Sequence, residues 1–69
     1  MMYQENETVV AKKGISSLIP KGTKGVIHSI YDNGKSYLVE FVDDDGNTIA
    51  DGLETVCFDD IELYSINKQ

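Results

Sequence analysis

The pair Asn33-Gly34 constrains this chain more than any other feature. It sits between two runs rich in β-branched and aromatic residues, Val26-Ile27-His28-Ser29-Ile30-Tyr31 and Ser36-Tyr37-Leu38-Val39-Glu40-Phe41-Val42. Such a pattern predicts a β-hairpin. A type I′ turn needs φ > 0 at both central residues, and Asn-Gly meets that requirement at the least steric cost. Gly22 and Gly25 predict a tight turn into the first arm, and Gly46 a turn out of the second. In the second arm Tyr37, Val39 and Phe41 share one face, which is expected to be core, with Glu40 on the other face in solvent. In the first arm Ile27 and Ile30 are three positions apart. Both point inward only if a bulge or a strong bend intervenes.

The remaining segments are short. Residues 8–12 read as a first strand, preceded by a leader, 1–6, expected to be frayed with Tyr3 able to fold back. Residues 13–20 form a loop whose Ile15, Leu18 and Ile19 are expected to pack on the core. Residues 47–50 predict a fourth strand, broken by Asp51-Gly52. Residues 54–58 are either another strand or the fourth continued across a bend. Residues 59–61 predict a 3₁₀ turn, 62–65 a closing strand and 66–69 a tail. Apolar residues recur at helical spacing nowhere over three turns, so no substantial helix is expected. A chain of 69 residues makes one domain, burying only about 60% of its unfolded surface. The expectation is an all-β fold, a small five-stranded, strongly bent barrel.

Charge narrows the function. Six Lys and no Arg face twelve Asp and Glu, for a net charge of -6. Nucleic acids and anionic membranes are bound by Lys and Arg, so neither is an expected partner. A basic protein is, because opposite charge speeds encounter; the plainer role of the acids is solubility. Cys57 is the only cysteine, which forbids an internal disulfide and fits a reducing compartment. The polar, acidic start lacks the pattern of a signal peptide, and no apolar run approaches the roughly 20 residues of a membrane helix. A cytoplasmic location is expected.

Lys21-Gly22-Thr23-Lys24-Gly25-Val26-Ile27, Tyr31, Gly34, Tyr37-Leu38-Val39-Glu40-Phe41-Val42-Asp43, Asp45-Gly46 and Thr48-Ile49-Ala50 carry a resemblance over about residues 8–63. The chain resembles a family of small bacterial SH3-like barrel proteins filed as a domain of unknown function. Part of the stretch is also similar to the KOW-type turn of translation and transcription factors. The resemblance implies no catalytic residues, and the family's association with toxin–antitoxin and immunity loci implies partner binding. Residues 51–57 depart from the family pattern, because Asp51-Gly52 and Glu54 stand where an apolar strand is usual.

Single residues that suggest chemistry lack companions. Asp43-Asp44-Asp45-Gly46 evokes a calcium loop, but with Gly46 at the sixth position Phe41 and Gly52 fall where ligands belong. His28 is the only histidine and has no ligand-spaced neighbour. Cys57, between Val56 and Phe58 and near acids that disfavour a thiolate, is expected to be a small core residue. Tyr31, Tyr37 and Tyr64 suit either a surface or the barrel core; without Trp, recognition of Pro-rich peptides ranks low.

The expected function is therefore that of a non-catalytic, acidic protein-binding module. The leading form is an immunity protein or antitoxin that neutralises a basic toxin such as a nuclease. Its expected contacts are Asp43, Asp44, Asp45, Asp51, Glu54, Asp59 and Asp60, with Tyr31 and Tyr64 as anchors. No cofactor or metal is expected, and the chain is expected to be a monomer or weak dimer. The alternative is a structural or regulatory subunit that docks an enzyme through the apolar loop Ile15-Ser16-Ser17-Leu18-Ile19.

Overall fold

The computed structural model describes residues 2–64, apart from the side chains of Ala50 and Asp51. Strands β1 (Thr8–Ala11), β2 (Lys24–Tyr31), β3 (Ser36–Val42), β4 (Thr48–Cys57) and β5 (Ile61–Leu63) form one antiparallel sheet in the order β4-β3-β2-β1-β5. The fold is all-β. The described residues contain no α-helix, only 3₁₀ turns at Asp32–Gly34 and Phe58–Asp60.

The Asn-Gly pair turns the β2–β3 hairpin as its chemistry requires. Asn33 and Gly34 have φ of 56° and 91°, and the Lys35 amide donates to the Asp32 carbonyl at 3.2 Å. These are the φ signs and the hydrogen bond of a type I′ turn. Asp32 also lies at φ 55°, so three successive residues are left-handed, and the last paired residues are Tyr31 and Ser36.

The core follows from the period of β3, where Tyr37, Val39 and Phe41 have no exposed surface. Tyr37 is thus a core aromatic rather than part of a surface. The β2 bulge also forms. Ile27 pairs with Val39 and Ser29 with Leu38, so His28 is the extra residue. That one insertion lets fully buried Ile27 and half-buried Ile30 both face inward. Val9, Ala11, Ile19, Val56 and Ile61 complete the core. In the loop before β2, Ile19 is wholly buried and Ile15 half-buried, but Leu18 is 61% exposed.

Besides the exposed Leu18, which was expected to pack on the core, four expectations need correction. The sheet is not closed into a barrel, because β4 and β5 are its two outer strands and no ladder joins them. The leader is not frayed from Tyr3 to Asn6, and Tyr3 folds back as expected. Tyr3 donates its hydroxyl to the Ile61 carbonyl at 3.0 Å and stacks on Phe58 at 4.9 Å, while the Asn6 amide donates to Ile27 at 2.8 Å. Burial pushes the Tyr3 phenol pKa up. Cys57 is exposed, since Val56 takes the inward position and alternation sends its neighbour outward. The second 3₁₀ turn begins one residue early, at Phe58. Of the two readings for residues 47–58, the continued strand holds: β4 runs through Gly52, whose φ of 107° takes up the bend. The expected tail at 66–69, and Ser65 of the closing strand, lie outside the described residues.

Gly25 marks the tightest approach in the core. A Cβ there would lie 2.6 Å from Val39 Cγ1, 2.9 Å from Phe41 Cδ1 and 3.0 Å from the Glu40 carbonyl. Gly25→Ala should therefore lower stability by about 2 kcal/mol through overpacking. Gly14→Ala, with nothing within 4 Å of its Cβ, should change it little. Urea midpoints of the two variants check this pair.

Candidate functional site

β4 has one side paired and one side free. Its partner β3 sits on one flank, and among the described strands nothing is on the other. The direction of its backbone groups follows from one bond. The Phe58 amide donates to the Lys35 carbonyl at 2.9 Å, next to the paired residues Cys57 and Ser36. Antiparallel ladders alternate, so Val56 and Glu54 also point their amides and carbonyls at β3. Leu53, Thr55 and Cys57 then point theirs outward. The Cys57 amide does so, donating to Asp60 Oδ2 at 2.9 Å. No backbone bond outside the ladders engages Leu53 or Thr55 among the described residues.

An acidic turn brackets each end of this edge. At the far end lies the turn Asp43-Asp44-Asp45-Gly46. Asp43 closes it, with Oδ1 accepting from the amides of Asp45 and Asn47, each at 2.9 Å. Asp43 is thereby committed to structure, while Asp44 and Asp45 are exposed. A shallow groove of about 300 Å³ brings Lys21 and Lys24 to the same place as Asp43 and Asp44, which dilutes the negative field there. At the near end, the 3₁₀ turn Phe58–Asp60 presents Asp59 to solvent. Its Asp60 accepts from Cys57 and pairs with Lys13 at 3.2 Å. The Cys57 amide, and secondarily Lys13, hold the Asp60 carboxyl below its ordinary pKa.

The expected acids therefore do not form one patch. Asp43 to Asp45 follow the last residue of β3, and Asp59 and Asp60 lie beside its first, since Ser36 pairs with Cys57. Seven residues at about 3.3 Å each separate the two groups by on the order of 20 Å. Glu54 lies between them on β4, half-buried and opposite Val39. The Asp51 side chain lies outside the described residues. Tyr31 is exposed at the near end, while Tyr64 lies against β1, its amide donating to Thr8 at 3.0 Å. Lys24 Nζ sits 4.9 Å over the Tyr64 ring. The two tyrosines thus flank different parts of the sheet.

Sequence reasoning missed the edge itself. The signal available was residues 48–57, a long β stretch carrying neither Lys nor Pro, the usual protections of an outer strand. It also missed a concavity of about 470 Å³ lined by Met2, Asn33, Gly34, Lys35 and Phe58. Met2 of the leader walls that hollow against the hairpin turn at Gly34, a contact between distant residues that no local pattern reports.

A family model described as Domain of unknown function (DUF4926) matches residues 7–63. The chain belongs to this family. No curated protein and no solved structure matches it. The match to DUF4926 spans every strand and both acidic turns, so edge and brackets fall within the family's domain. Among the described residues no group of three or more His, Cys, Asp or Glu is placed to hold a metal. No helix there is long and apolar enough to cross a membrane.

Asp60 supplies a test of the near end. A carboxyl whose folded pKa is depressed adds stability at pH above its unfolded value, and that increment is lost as pH falls through the folded value. Asp60→Ala should cost about 1 kcal/mol at neutral pH. The gap to the unmodified chain should close as pH falls below about 4. Paired urea titrations from pH 7 to pH 2 measure it.

Proposed function

We propose that this DUF4926 protein is a non-catalytic module that binds a basic protein and neutralises it, as an immunity protein or antitoxin does with a basic toxin. The observation that carries the reading is the state of its acids. Among the described residues one ion pair forms, Lys13 with Asp60, against eleven acids whose side chains are described. Asp44, Asp45 and Asp59 are exposed and form no ion pair with a described cation, although Lys21 and Lys24 line the groove beside Asp44. Uncompensated charge of one sign raises the on-rate for an oppositely charged partner and repels others like itself. A nuclease fits, since its substrate groove must be basic to hold phosphates.

The fold supports a binding role. The strand order, with β1 paired to both β2 and β5 and a 3₁₀ turn between β4 and β5, is consistent with an SH3-like barrel left open between its outer strands. Small folds of this kind serve as platforms on which loops and edges carry the contacts. A cytoplasmic site of action fits the lone, exposed thiol of Cys57. The alternative, docking through the loop before β2, has less to work with: Ile19 and half of Ile15 are spent on the chain's own core, leaving Leu18 as the one largely exposed apolar side chain there.

The test is capture of a partner from the native host on the immobilised chain, followed by a rising salt gradient. A basic protein retained in stoichiometric amount and released as salt rises, whose activity the chain inhibits, is the expected result. Retention of nothing basic, or of a partner that survives high salt, would contradict it. With that partner in hand, Asp44→Lys combined with Asp45→Lys should slow association about tenfold at low salt and flatten its salt dependence. Stopped-flow association at several ionic strengths provides the comparison.

A further inference from the structure

Resting on the reading above, we propose that the free edge of β4 over residues 53–55 takes up an extended, Lys- or Arg-bearing segment of the basic partner as an added strand. Three observations converge on this segment. The outward amides and carbonyls of Leu53 and Thr55 have no bonded partner among the described residues, so they offer the alternating donor–acceptor row that an incoming strand pairs with. Leu53 is 40% exposed and adjoins that row, providing an apolar contact for a side chain on alternate positions of the incoming strand. The row is bracketed by Asp44 and Asp45 beyond one end and Asp59 beyond the other, so a segment long enough to follow β4 meets carboxylates at both ends.

The chemistry of the occupant follows from charge. A second copy of this chain, laid edge to edge, would bring Glu54 and the acidic turns of one copy toward those of the other, and like charges facing across a strand pair destabilise it. A basic strand meets attraction in the same places. The other outer strand is a poorer acceptor, because β5 has only three residues among those described. Asp60 limits the register, because its carboxylate already takes the Cys57 amide and so caps the edge where the chain turns toward β5. The incoming strand therefore pairs with Thr55 and Leu53 and stops short of Cys57.

The experiment is amide hydrogen exchange and chemical-shift mapping by NMR on the full chain, with three end-capped heptapeptides as probes. One alternates Lys and Val. One has the same sequence with alternate backbone amides N-methylated. One alternates Glu and Val. The expected result is that the first peptide slows exchange of the Leu53 and Thr55 amides about tenfold, while the methylated and acidic peptides do not. If the Lys peptide shifts signals around Asp44, Asp45 or Asp59 but leaves Leu53 and Thr55 exchanging as before, the edge is not the site and the basic-partner reading stands. If the Lys peptide gives no response, or the Glu peptide matches it, both fall. Protection of Leu53 and Thr55 that rises with protein concentration alone would make a second copy the occupant and overturn the proposal.

Discussion

Three side chains at alternate positions of β3, Tyr37, Val39 and Phe41, are wholly buried, and the rest of the sheet is arranged to keep them so. Gly25 lets β2 approach Val39 and Phe41 more closely than any side chain would permit. The extra residue at His28 rotates β2 so that Ile30 joins Ile27 on the same side. Tyr3 lays its ring over Tyr37 and Phe58 at centroid distances of 5.4 and 4.9 Å and ties the leader to Ile61. In a domain of this size, with no disulfide possible, each of these contacts is a sizeable share of a net stability near the low end of the usual 5–15 kcal/mol or so.

Among the described residues, the same arrangement leaves β4 paired on one side only. A sheet that bends around one small core has two outer strands, and here they differ. β5 is short, while β4 is long and carries neither Lys nor Pro. Asp60 joins the structural and functional sides of the molecule. Its carboxylate stops β4 at Cys57, turns the chain into β5 and holds Lys13, so the acid that ends the free edge also contributes to the fold. Asp43 is committed in the same manner at the other end. What remains for a partner is Asp44, Asp45, Asp59 and the backbone between them.

Much of the fold was legible because local period and turn chemistry decide it. The Asn33-Gly34 turn, the alternation of β3 and the bulge implied by the spacing of Ile27 and Ile30 are all short-range statements, and the structure agrees with each. Cys57 was misjudged from the apolar character of Val56 and Phe58, when the inward position of Val56 had already sent it outward. Tyr3 folds back as the sequence allowed, but the order of the leader as far as Asn6 was not legible, because its bonds run to Ile27, Tyr37 and Ile61, which no local pattern reports. The acids were legible as charges but not as a map. Which end of a bent sheet a turn occupies depends on how far β4 runs before it ends, and that is set by the Asp60 cap and the irregular pairing between Glu40 and Val42. The open edge was hidden for the same reason, since an unpaired strand is defined by what fails to lie beside it.

The most direct measurement is hydrogen–deuterium exchange on the full chain, free and in complex with the proposed basic partner. Protection concentrated on Leu53 and Thr55, with smaller changes at the turns containing Asp44 and Asp59, is the predicted footprint. Protection confined to the apolar loop containing Leu18, with the β4 edge exchanging as in the free chain, would contradict the account.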